Sequence, residues 1–120
     1  MKKILIVDDE PNIVMTLEYT FKKSNYEVFI ARDGQEALDI LKTNFPDVII
    51  LDIMMPMVDG FATLEQIRKH ANLQHTKVLF LSAKNKESDI EKGLALGADA
   101  YMTKPFSIKK VVEQVEELLS

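Results

Sequence analysis

Four stretches of the chain, Ile4-Leu-Ile-Val7, Val28-Phe-Ile-Ala31, Val48-Ile-Ile-Leu51 and Val78-Leu-Phe-Leu81, are apolar at every position rather than at alternate ones. Unbroken apolar runs of this length suit strands covered on both faces, as in a parallel sheet, whereas a strand with one wet face alternates. Between them apolar residues recur at helical spacing: Ile13, Leu17 and Tyr19-Thr-Phe21, then Ala37, Leu38 and Leu41, then Phe61, Leu64 and Ile67. A further helix near residues 86–96 leads to a short strand, Ala100-Tyr-Met102, and Ile108, Val111, Val112, Val115 and Leu118-Leu119 mark a last amphipathic helix. The prolines Pro11, Pro46, Pro56 and Pro105 all fall outside the helix interiors and strand centres of this scheme, where a missing N–H costs least. The pattern predicts one α/β domain over residues 1–120, an open parallel sheet with helices on both faces.

Composition narrows the function classes. At 120 residues and 13.7 kDa the chain can bury about two-thirds of the surface of its unfolded form without staples. It has no cysteine, hence no disulfide and no thiolate metal site, which suits a reducing cytosol. Fifteen basic and nineteen acidic residues give a net charge of −4, the wrong sign for a surface built chiefly to hold nucleic acid phosphates. The opening MKKILIV has the charged head of a signal peptide, but Asp8, Asp9 and Glu10 interrupt its apolar stretch too early for an export signal or a span. The expectation is a soluble cytoplasmic protein that touches neither membrane nor nucleic acid directly.

In an open parallel sheet, ligands bind beyond the carboxyl ends of the strands, where the winding reverses. The first run ends in Asp8-Asp9, the third in Asp52, the fourth in Ser82 and the fifth in Thr103-Lys104. Three carboxylates close together raise one another's pKa unless a cation sits among them. Oxygen donors without imidazole or thiolate select a hard cation, and so few carboxylates suit Mg²⁺ better than a caged Ca²⁺. A metal, a lysine and a hydroxyl are recurring parts of phosphoryl-transfer sites, and a carboxylate can itself be the nucleophile. Asp52 stands alone at its strand end between the paired acids and Ser82, which makes it the candidate nucleophile, with Asp8 and Asp9 suited to holding the metal.

ILIVDDE, VIILDIMMPMVDG, FLSAK and GADAYMTKPF together make the chain resemble the CheY-like receiver domains of two-component response regulators, over essentially all 120 residues. The resemblance implies a flavodoxin-like (βα)5 three-layer sandwich with a five-stranded parallel sheet in the order 2-1-3-4-5. It implies that Asp52 accepts a phosphoryl group from a histidine kinase or phosphotransfer protein. Asp8, Asp9, Asp52 and the backbone carbonyl of Met54 would hold Mg²⁺, for which Mn²⁺ can substitute. Lys104 would contact the phosphoryl group, and the Lys104-Pro105 bond would be cis. Ser82 would move toward the phosphoryl oxygen and Tyr101 swing inward, signalling to an output partner or fused domain through the 86–119 face. Kinase choice would rest on the first-helix surface around Asn12, Met15, Thr16 and Tyr19.

The chain also departs from the family pattern. A serine stands at position 82 where threonine is more usual, which loses methyl packing and keeps the hydrogen bond. Lys92, Ala100, Lys110 and Gln114 do not offer the opposite charges that winged-helix transcription factors of the family place across their receiver dimer, so a monomer is expected before phosphorylation. Separate explanations exist for single residues: Asp8-Asp9-Glu10-Pro11 could cap the first helix, the methionines at 54, 55 and 57 could pack the loop, and Tyr101 could be an ordinary half-buried strand aromatic. Lys84, Lys86, Glu87 and Asp89 read as a solvated helix start, and His70 and His75 as exposed groups or a favourable charge at a helix end. A phosphatase of the haloacid-dehalogenase type would want an aspartate at position 54, and an FMN-binding flavodoxin would want a hydroxyl- and glycine-rich loop in place of Asp8-Asp9-Glu10-Pro11. Neither is present. Met54 and Lys84, the variable positions flanking Asp52 and Ser82, carry no acid or amide to orient an attacking water, so the aspartyl phosphate is expected to be long-lived. Its lifetime, followed by loss of label, should shorten in Met54→Asn, and a fast wild-type decay would refute the expectation.

Overall fold

A computed structural model describes residues 1–120. Five strands, β1 (Lys3–Val7), β2 (Glu27–Ala31), β3 (Val48–Leu51), β4 (Lys77–Ser82) and β5 (Ala100–Thr103), alternate with five helices, α1 (Pro11–Lys23), α2 (Gly34–Ile40), α3 (Gly60–Lys69), α4 (Glu87–Ala95) and α5 (Ile108–Leu119). All strands pair in parallel, in the order β2-β1-β3-β4-β5. The winding reverses between β1 and β3.

The unbroken apolar runs exist because the sheet has two cores. Leu5, Val7, Ile49, Leu51, Val78 and Phe80 face α2 and α3, where Ala37, Leu64 and Ile67 meet them. Ile4, Ile6, Val48, Ile50, Leu79 and Leu81 face the opposite way, toward Leu17 and Phe21 of α1 and Val111 and Val115 of α5. Each such side chain contributes about 1.5–3 kcal/mol by leaving water, so the three central strands are the most firmly held part of the molecule. The run Val28–Ala31 departs from the expected burial on both faces: β2 and β5 are the edges, and most of their residues stay half-buried. Tyr19 likewise lies off the buried stripe of α1 and is 68% exposed.

Short polar side chains start three helices. Asp33 accepts from the Glu36 N–H at 2.8 Å, Asp59 from Ala62 N–H at 2.8 Å and Ser107 from Lys110 N–H at 3.1 Å. Pro11 occupies the first turn of α1, where its missing N–H is harmless. After α3 comes a 3₁₀ turn at Ala71–Leu73 that the sequence pattern did not reveal. His70 caps it, Nδ1 accepting from the Asn72 N–H at 3.1 Å. Arg68 locks the same end of the domain, donating to the carbonyls of Gly97 (2.8 and 3.0 Å), Thr76 (2.8 Å) and Leu73 (3.3 Å) and pairing with Asp99 at 3.0 Å.

Register brings the strand ends level. Val7 lies opposite Ala31 and Leu51, Leu51 opposite Phe80, and Ser82 opposite Thr103. The connection from β3 to α3 then folds back against the sheet because two glycines let backbones touch. A side chain on Gly60 would strike the Asp52 carbonyl and Ile53, and one on Gly34 would strike Thr63 Oγ1 and the Val58 backbone. We expect Gly34→Ala to lower the free energy of unfolding by about 1–3 kcal/mol through overpacking. In urea denaturation the midpoint should fall with an unchanged slope.

Candidate functional site

Asp8 and Asp52 directly follow β1 and β3, and the backbone ladder carries them one step beyond the strands: Asp8 N–H donates to Ala31 O at 3.1 Å and Asp52 N–H to Val7 O at 2.9 Å. Both are buried, each 2% exposed, while Asp9 faces solvent. One carboxylate oxygen from each of Asp8, Asp9 and Asp52 lies within 4.8 Å of the others. Local amides hold the buried pair, Glu10 N–H donating to Asp8 Oδ1 at 2.9 Å and Met54 N–H to Asp52 Oδ1 at 3.3 Å.

Lys104 enters from the end of β5, where its N–H donates to Ser82 O at 2.8 Å. The Lys104-Pro105 peptide bond is cis. The ammonium reaches Asp8 Oδ2 at 3.0 Å, Glu10 Oε1 at 3.0 Å and Asp52 Oδ2 at 3.7 Å. Three of the strand-end acids and the lysine therefore form one constellation. Glu10 joins them as a partner of Lys104 that helix capping alone would not have revealed.

Electrostatics follow from this crowding. Burial, then the neighbouring Asp8 charge, pushes the Asp52 carboxyl up to about 6, against the pull of Lys104. Asp8 is also raised, chiefly by burial. Burial alone would lower the Lys104 ammonium, but its hydrogen bonds to Glu10 and Asp8 and the Asp52 charge outweigh this and raise it. An oxygen-only set of this kind fits a hard divalent cation, whose charge would relieve the repulsion.

Ser82 is fully buried at the end of β4, and its Oγ accepts from the Lys84 N–H at 3.2 Å. Tyr101 approaches the same residue from β5: its hydroxyl donates to Lys84 O at 2.7 Å, and its ring packs on Phe80 at 5.8 Å between centroids. The aromatic already lies against the core, with burial and then Asp89 raising the phenol pKa. Lys84 is half-buried rather than fully solvated. Of the three loop methionines only Met55 packs inward; Met54 and Met57 are 56% and 83% exposed, so loop packing does not account for them. Met54, Lys84, Asp89 and Lys92 line an open cleft beside Asp9, where Lys92 Nζ sits 4.4 Å above the centre of the Phe61 ring.

Because folding raises the Asp52 pKa from 3.8 to about 6, the folded state binds the proton more tightly than the unfolded one. Stability is therefore greatest below the unfolded value and is lost as pH rises through the folded one. In metal-free buffer Asp52→Asn should stabilise the chain at neutral pH by up to about 3 kcal/mol and change little near pH 4, as read by thermal melts across pH.

The chain matches the response regulator receiver domain family over residues 4–116. It is 47% identical over 118 residues to the alkaline phosphatase synthesis transcriptional regulatory protein PhoP of Bacillus subtilis, a match covering 98% of this chain and 48% of that protein. The chain thus spans about half the length of that relative. Among solved structures, the receiver domain of the Francisella response regulator 1452 superposes with a TM-score of 0.91 at 38% identity, covering 99% of this chain and 97% of that one. The chemotaxis response regulator CheY4 of Vibrio cholerae superposes with a TM-score of 0.93 at 32% identity, covering 99% of each chain. The sheet order, the helices on both faces and the acidic strand ends thus accompany a sequence match over nearly the whole chain, which belongs to the receiver domains of two-component response regulators.

Proposed function

We propose that residues 1–120 form one phosphoacceptor domain in which Asp52 takes a phosphoryl group from a histidine kinase or phosphotransfer protein. The observation that carries this reading is the cluster of Asp8, Asp9 and Asp52 oxygens within 4.8 Å, with the Lys104 ammonium against two of the three residues. In the transfer, an Asp52 oxygen forms a bond to phosphorus as the donor's own bond to it breaks. Strands buried on both faces fix that oxygen, so little freedom is lost on reaching the reactive geometry. Asp8, Asp9, Asp52 and the Met54 carbonyl would hold Mg²⁺, or Mn²⁺ in its place; the ion supplies positive charge to the donor's oxygens. Lys104, against Asp8 and Asp52, would supply a second positive charge. The domain signals rather than turning over substrate, although the same groups would assist gain and loss of its own phosphoryl group.

Ser82, Lys84 and Tyr101 support the switching part of the reading. Ser82 Oγ and the Tyr101 hydroxyl both hold the peptide groups of Lys84, one at its N–H and the other at its carbonyl. A phosphoryl oxygen that accepts from the Ser82 hydroxyl would turn the side chain, carry Oγ away from the Lys84 N–H and loosen the segment leading into α4. That helix has one buried residue, Gly93, and a first residue with no side-chain cap, so it is the element most easily shifted. The readout is the 86–119 face, presented to an output partner or fused domain. Met54 and Lys84, at the mouth of the cleft, tune the lifetime of the phosphoryl group. The cytoplasm is the natural compartment, where the kinase's phosphoryl group is available; no helix is long and apolar enough to cross a membrane.

Intact-mass spectrometry after treatment with acetyl phosphate and Mg²⁺ tests the chemistry. We expect a single phosphoryl adduct that is absent in Asp52→Asn and absent without divalent metal. An adduct that persists in Asp52→Asn would move the phosphoacceptor elsewhere.

A further inference from the structure

Glu10 is the one acid of the Asp8-Asp9-Glu10 run that the proposed function leaves without a task. Its Oε1 is nevertheless as close to Lys104 Nζ as Asp8 is, both at 3.0 Å, while Asp52 stands at 3.7 Å. The lysine side chain is only 10% exposed and that of Glu10 is 57% exposed, so a buried cation is held by an arm reaching in from the surface. Glu10 is also the N-cap residue of α1, yet its side chain caps nothing. Aspartate, serine, threonine and asparagine are the effective caps at such a position because they are short enough to bond the next turn. Glutamate gives up that bond, and its extra methylene lets it reach Lys104 instead.

An ammonium has three donors, and here two are directed at Asp8 and Glu10. We propose that Glu10 is a positioning residue that holds Lys104 at a resting place on the α1 side of the site. With Asp52 at 3.7 Å and Glu10 at 3.0 Å, a phosphoryl group on Asp52 draws the ammonium toward itself and lengthens the Glu10 contact. The inference rests on Asp52 as phosphoacceptor and Lys104 as phosphoryl contact. A contact made in the resting chain and lost in the phosphorylated one opposes phosphorylation by its own free energy.

Phosphorylation by acetyl phosphate at saturating Mg²⁺, with donor concentration varied, separates the contact from the charge. Glu10→Asp keeps the charge but is one methylene too short. It should raise the limiting rate about twofold to fivefold, the range of a half-exposed ion pair, with an unchanged half-saturating donor concentration. Glu10→Gln should raise the limiting rate similarly and also lower the half-saturating concentration, because a charge that repels the anionic donor is gone. In the metal-free chain the Lys104 ammonium resonance should shift in both variants, a readout that needs no phosphorylation. Thermal melts should show Glu10→Asp folded and slightly more stable, since aspartate can cap α1. A Glu10→Asp protein with the wild-type rate and resonance would overturn the proposal, as would a lower limiting rate. Failure of the wild type to form any adduct would refute the phosphoacceptor reading instead, and an unmoved ammonium resonance would still refute the contact.

Discussion

The mutual repulsion of carboxylates at the ends of β1 and β3 is the constraint around which the domain is arranged. Asp8 and Asp52 are buried side by side, an arrangement that a fold selected for stability alone would avoid. One cation, Lys104, offsets part of the cost from the end of a strand two places away from β3. The remaining deficit of positive charge is one that a hard divalent cation would relieve.

Such a site needs a frame that does not yield. The two apolar cores supply it, because every residue of β3 is buried, and so are those of β1 and β4 after their half-buried first residues, Lys3 and Lys77. Gly60 brings the start of α3 onto the backbone of Asp52 itself, so the loop carrying Met54 is braced from below. Firmness falls away along the sheet toward α4 and β5. Arg68 fastens the far end of that region to α3.

Much of this was legible in the residues. Continuous apolar runs marked the strands, and the polar residue after each run marked the rim, because a buried parallel strand leaves few other places for an aspartate or lysine. The order of the strands came from the family resemblance, since periodicity cannot say which strand is central. Val28–Ala31 is as apolar as Val48–Ile-Ile-Leu51, yet one is an edge and the other the centre. Contacts between distant positions were the least accessible: Arg68 with Gly97, and Glu10 with Lys104, depend on side-chain reach across the fold. The absence of a short capping residue at position 10 was the one local sign of the latter. The capping contact of His70 was not legible because the 3₁₀ turn it caps is only three residues long.

Lys84 is held through its own peptide groups, by Ser82 at one end of the residue and Tyr101 at the other. Under the proposed switching the residue would be a two-way thermodynamic linkage. If binding at the rim alters how tightly Tyr101 is held, then any protein that grips Tyr101 from outside must alter affinity at the rim by the same factor. A downstream target would then be more than a recipient of the signal: by choosing one placement of the tyrosine it would set how readily the domain is charged.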